Sequence, residues 1–179
     1  MKLLLLPVLT KLLFATVVLG QQLKPDTTIN VNGSRYKIEQ VNQHGTLTDV
    51  ISIANVNNTY YVRTPKVSAW DIGLYQKMKK GSILNSFTDV FSDERLKKLA
   101  SNEHGITFTF YILPSGKIAG VEFLLRKNTL IDGSELNKLE SAIKNNVTFE
   151  VSPKDTKGAD FFVITMTAIY QNVLGKIER

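Results

Sequence analysis

The sequence predicts an α+β fold: an N-terminal antiparallel β meander, then a helix-strand-strand-helix-strand unit whose strands form an antiparallel sheet. Three observations predict it. Asn32-Gly33 separates two runs in which polar and apolar residues alternate. Residues 106–112 and 118–125 alternate on either side of Pro114-Ser115-Gly116-Lys117. Helix-opening sequences at Ser92 and Asp132 flank that pair.

The first twenty residues are expected to be an export signal. Met1-Lys2 gives a basic start, 12–19 an apolar run, and Gly20 a small residue ahead of polar Gln21-Gln22. A membrane anchor would need about 20 uninterrupted apolar residues, and Lys11 divides this stretch. Cleavage near Gly20 and a secreted or periplasmic product follow as expectations, with no stable membrane span after signal removal. Residues 21–66 then form a β-rich segment and 67–179 an α+β domain, which can pack as one unit with it.

In the β-rich segment, 27–31 and 34–41 make a hairpin about Asn32-Gly33, where positive φ suits both turn residues. Residues 46–56 continue in β style. Asn57-Asn58 turns the chain, and 59–63 return as a strand through Tyr60, Tyr61 and Val62.

The composition then becomes helical. Ser68, with Asp71 three residues on, is expected to cap a helix over 68–80, stopped by Gly81. Trp70, Leu74 and Met78 would share its buried face. Ser92 caps a second helix, with Asp93 and Glu94 in its first turn and Phe91 and Leu96 as a hydrophobic staple. The hairpin of 106–113 and 118–125 follows. Asp132-Gly133-Ser134-Glu135 opens a third helix with Leu136, Leu139, Ile143 and Val147 on one side. A polar loop spans 153–160. The run 161–170 is apolar on both faces and reads as a central strand, or one covered on both sides.

The segment Gly105-Ile106-Thr107-Phe108-Thr109-Phe110-Tyr111-Ile112, the Pro114-Ser115-Gly116-Lys117 turn and the returning Ile118-Ala119-Gly120-Val121-Glu122-Phe123 together resemble the hairpin of the TonB C-terminal domain. The order of elements over 91–170 is also similar to that family's. The resemblance implies an exported binding domain of the bacterial envelope, of a kind common in Bacteroidetes-type bacteria. The long Pro-rich spacer of the full energy transducer is missing, since the five Pro are scattered.

Composition narrows the chemistry. The chain has 179 residues, 43% hydrophobic and 21% charged, which is ordinary for a globular protein. Without Cys it has no thiol catalysis, disulfide framework or Cys-ligated metal site. His44 and His104 are its two imidazoles, and neither lies in a recognisable triad or metal motif. Asp132-Gly133-Ser134-Glu135 suggests a Ca²⁺ loop, but capping accounts for it. There is no P-loop and no nucleophile elbow. The formal charge of +6 is mild, and its Lys clusters lack the interleaved aromatics of a nucleic-acid surface.

The expectation is therefore a non-catalytic exported module with no cofactor, no metal and no nucleic-acid partner. It would bind a protein or peptide of the envelope by strand addition at a sheet edge, where main-chain pairing needs no special side chains. The edge is expected around Tyr111, Ile118, Val121, Glu122 and Phe123. Two other readings stand beside it: an envelope hydrolase of unfamiliar type, and a structural envelope component.

Overall fold

The computed structural model describes residues 23–78, 82–156 and 158–177. The expected export signal lies outside the described residues. No helix among the described residues is long and apolar enough to cross a membrane.

Asn32 and Gly33 hold φ of 48° and 81°, the left-handed pair that matches the twist of a tight hairpin. They join β1 (Thr27–Val31) to β2 (Ser34–Gln43). His44 and Gly45 repeat this geometry, with φ of 52° and 84°, and join β2 to β3 (Thr46–Asn55). Further on, β4 (Gly105–Ile112) and β5 (Ile118–Arg126) form the expected hairpin, and β6 (Phe162–Ile169) pairs with the far side of β4. The result is one six-stranded antiparallel sheet in the order β1-β2-β3-β5-β4-β6. The seam between its halves is β3 against β5, from Val50 opposite Arg126 to Ala54 opposite Glu122. The predicted α+β class with an antiparallel sheet is the observed one.

One face of the sheet is covered by helices. Ile38, Ile53, Phe123 and Phe108 line up as cross-strand neighbours, all fully buried. Against this row pack α1 (Ser82–Thr88), α2 (Asp93–Asn102), α3 (Gly133–Asn146) and α5 (Tyr170–Ile177). Phe87 of α1 sets its ring edge-on to Phe108 and Tyr170, at 6.0 and 6.1 Å between centroids. Leu96 and Leu99 of α2 and Leu136, Leu139 and Ile143 of α3 close the layer. Burial of each such side chain stabilises the fold by about 1.5–3 kcal/mol.

Capping sets where these helices begin. Ser92 Oγ accepts from the Arg95 amide at 3.2 Å. Asp132 Oδ1 accepts from the Glu135 amide at 2.9 Å, and Glu135 Oε2 accepts from the Asp132 amide at 3.1 Å, the reciprocal box anticipated from sequence. The Arg95 guanidinium donates to both Glu135 oxygens, at 2.7 and 2.8 Å, and so fastens the start of α2 to the start of α3.

The segment 56–78 departs from expectation. Residues 59–63 form turns instead of a strand. Asn58 Oδ1 accepts from the Tyr60 amide at 3.1 Å, an Asx turn that diverts the backbone, while Tyr60 packs on Phe161 at 5.1 Å. The helix expected over 68–80 is reduced, among the described residues, to turns and a 3-10 turn at Leu74–Lys77. Gly73 takes φ of +61°, which ends any helical run before Leu74. Ser68 Oγ bonds only two residues ahead, to the Trp70 amide at 3.2 Å. Leu74 is buried, but Trp70 is 73% exposed, so the shared apolar face does not form.

Two further differences lie near the C-terminus. The run read as a central strand is an edge strand, with Thr165 and Thr167 exposed. The polar loop contains a short helix, α4 (Pro153–Thr156).

Candidate functional site

The sheet's second face carries a line of polar side chains. Side chains alternate across a strand, so while Phe108, Phe110 and Phe123 enter the core, Thr107, Thr109, Tyr111 and Glu122 point the other way. Glu122 Oε1 accepts from Ser52 Oγ at 2.5 Å, and Glu122 Oε2 accepts from the Tyr111 hydroxyl at 3.1 Å. Beside them, Thr109 and Thr165 pair at 3.2 Å and Thr107 and Thr167 at 2.8 Å. This line of hydroxyls and one carboxylate runs from β3 through β5 and β4 to β6.

Burial raises the Tyr111 hydroxyl pKa well above the usual phenol value, and the Glu122 charge raises it further. Tyr111 therefore stays a neutral donor to Glu122 at all ordinary pH values. At one end the face is closed by the segment 56–66. Phe161 sits between Tyr60 and Tyr111, at 5.1 and 6.3 Å. The Arg63 guanidinium lies over Tyr60 and Phe161 and bonds Asp160 at 2.6 Å. Asn58 rests on Gly120, where any Cβ would collide with its amide.

The five residues expected at a strand edge divide between the two faces, and their strands are not edges. Ile118, Val121 and Phe123 are buried on the helix side. Tyr111 and Glu122 meet on the open side. β4 pairs with β5 and β6. β5 pairs with β4, and along 122–126 with β3. Beyond the end of β3, Ile118, Gly120 and Val121 are buried all the same, with Asn58 over Gly120. The expectation failed because alternation within a hairpin says which face a residue joins, and nothing about which strands arrive from elsewhere to flank it.

The true edges are β1 and β6. β1 is five residues long and follows Pro25, a short edge of the kind that resists pairing. β6 is different. Its eight residues, Phe162–Ile169, carry no charge and no Pro, and its register against β4 is unbroken. Among the described residues no other element hydrogen-bonds to its backbone. Charge, Pro and bulges are the usual defences of an edge strand, and β6 has none.

Elsewhere, among the described residues, no three of His, Cys, Asp and Glu gather to hold a metal. His44 is exposed in its turn. His104 is exposed where β4 begins, and its carbonyl accepts from the Tyr170 amide at 3.1 Å. A shallow cleft of about 310 Å³ between α2 and α5, lined by Lys97, Ala100, Ser101, Gln171, Leu174 and Gly175, contains no acid or imidazole.

Trp70 is the residue that sequence reasoning placed in the wrong environment. Its indole packs tilted against Tyr75, at 4.2 Å and 32°, and is largely open to water.

No protein-family model matches the chain, and no curated protein does. Its fold has a solved counterpart. A DUF5043 family protein from Bacteroides uniformis is similar to it over 84% of this chain and 88% of that one, with a TM-score of 0.63 and 12% sequence identity. The likeness lies in the fold.

Proposed function

We propose that this protein is an exported, non-catalytic binding module of a bacterial envelope, and that it captures an extended polypeptide along the outer edge of β6. The observation that carries the reading is the uncharged, unbulged edge of that strand, unpaired among the described residues. A peptide laid there would complete a seventh strand by main-chain bonds alone, with side-chain selection on alternate residues. On the open face its side chains would meet Thr165 and Thr167, and then the Thr107 and Thr109 row behind them.

The TonB C-terminal resemblance of residues 91–170 is part of the proposal and rests on the sequence of the 105–123 hairpin. Export is part of the proposal and rests on the pattern of residues 1–20. A Bacteroidetes-type source is also part of it, supported by the Bacteroides counterpart in fold.

The test is site-specific photo-crosslinking in envelope fractions. A benzoylphenylalanine at Thr167 is expected to trap a polypeptide, and Thr165→Lys in the same chain is expected to abolish the adduct. The same probe at Thr28 on β1 should trap nothing. Equal trapping from both edges, no adduct, or only a dimer of this chain would overturn peptide capture at β6. Mass spectrometry of the native product, expected to begin at Gln21, tests export separately.

A further inference from the structure

We infer that Trp70 and Tyr75 form a carbohydrate-binding platform, separate from the β6 edge. Four observations support it.

The first is that the turn is built to hold the indole outward. Ala69, Ile72 and Leu74 are buried and anchor the turn, while Trp70 and Asp71 point to solvent. The Trp70 amide donates to Ser68 Oγ at 3.2 Å, and the Trp70 carbonyl accepts from the Gly73 amide at 3.0 Å. The Leu74 amide donates to the Ala69 carbonyl at 3.0 Å, which closes the turn across the base of the Trp. An aromatic left in water merely for want of room would not need this scaffolding.

The second is the stack itself. Tyr75 covers one face of the indole at 4.2 Å between centroids, which orders the ring and leaves no gap for a second ring to intercalate. A ligand must lie flat on the one outer face. That excludes the proline-rich helix, whose rings drop into slots between separated aromatics, and the cage for a quaternary ammonium, which needs several rings around the cation.

The third is the rim. Ser68, Asp71 and Gln76 flank the pair in sequence and are exposed. They offer hydroxyl, carboxylate and amide groups, the set that hydrogen-bonds sugar hydroxyls.

The fourth is ligand shape. The apolar C–H face of a pyranose lies flat on an electron-rich ring, while its equatorial hydroxyls reach sideways to such a rim. The indole is the most electron-rich of the aromatic side chains. The class of ligand that meets all these conditions is a neutral oligosaccharide with a flat, all-equatorial stretch.

Trp70 is the single tryptophan of the chain, so intrinsic fluorescence reports on this ring alone. The full chain is titrated with hexasaccharides of β-linked glucose, N-acetylglucosamine and xylose, with α-linked glucose for comparison. At least one β-linked sugar is expected to give a saturable blue shift and to protect the indole from acrylamide. Trp70→Ala should weaken binding of that sugar, read by calorimetry, about tenfold or more, the scale of a lost aromatic stack. Trp70→Phe should keep part of it. Thr165→Lys should leave it unchanged, which separates this site from the β6 edge. Circular dichroism on Trp70→Ala is expected to show an unaltered fold. No shift with any of the sugars, a shift only with phosphatidylglycerol vesicles, or calorimetric binding unchanged in Trp70→Ala would overturn the proposal.

Discussion

The Tyr36 hydroxyl donates to Glu140 Oε2 at 2.6 Å, joining β2 to α3 across 104 residues of chain. Glu140 is a carboxylate in the core layer, 3% exposed. It is held by Tyr36, by Asn55 Nδ2 at 3.3 Å and by the Lys144 ammonium at 2.5 Å. Asn137 in turn donates to the Tyr36 oxygen at 3.0 Å. A buried charge is tolerable when each of its oxygens has a donor, and removing a partner leaves the rest unsatisfied.

Glu140→Ala is therefore expected to destabilise the protein by about 3–5 kcal/mol, because it strands Tyr36, Asn55 and Lys144 together. Tyr36→Phe removes one donor and should cost about 1–3 kcal/mol. Urea denaturation of the two variants checks the order. Equal costs would mean that packing, and not the carboxylate, dominates here.

Stability should fall in alkali. Burial raises the pKa of Tyr36, Tyr111 and Tyr170 above the ordinary 10.0. The charge of Glu140 adds to the rise at Tyr36, that of Glu122 at Tyr111 and that of Glu103 at Tyr170. A raised folded pKa gives stability that is complete below the unfolded value and is lost as pH climbs past it. Above pH 10 each of these phenols held neutral subtracts about 1.4 kcal/mol per pH unit. Their ionisation, followed at 295 nm, should coincide with loss of ellipticity. Ionisation well before unfolding would contradict this.

Gly120→Ala is expected to cost about 1–3 kcal/mol, since the new methyl meets the Asn58 amide in a packed setting. The amide nitrogen of Asn58 has no hydrogen-bond partner among the described residues, so truncating it sacrifices little there. In an Asn58→Ala background the cost of Gly120→Ala should largely vanish. A double-mutant cycle measures that coupling.

Arg95→Lys keeps the charge but loses the fork on Glu135 and the bond to the Leu130 carbonyl at 2.6 Å. With both side chains mostly sheltered, the expected cost is about 1.5–3 kcal/mol, far above that of an exposed pair such as Lys127 with Asp49. Thermal melts of Arg95→Lys and Lys127→Gln compare them.

Much of the fold was legible where one local signal sufficed. Asn32-Gly33 marked a turn, the alternation from Ile106 to Leu125 marked a hairpin, and Ser92 and Asp132 marked helix starts. Each rests on chemistry within a few residues. The illegible parts depend on distant partners. Tyr60, Tyr61 and Val62 have β propensity, yet Asn58 turns the chain and Phe161 receives the Tyr60 ring. Residues 82–88 make a helix from Ser, Asn and Thr with little intrinsic preference for it, because Phe87 fills a gap beside Phe108. The candidate edge was misplaced for the same reason. Nothing within 118–126 announces that β3, some 70 residues earlier, will lie beside it.

The β3–β5 seam also has a temporal consequence. Synthesis delivers the meander long before the strand that must zip onto it. Until β5 arrives, the nascent chain presents β3's bare side, Ile51 and Ile53 included, to whatever it meets. Closing so wide a loop is slow, so the interval before β5 docks sets how long that stretch stays open to aggregation.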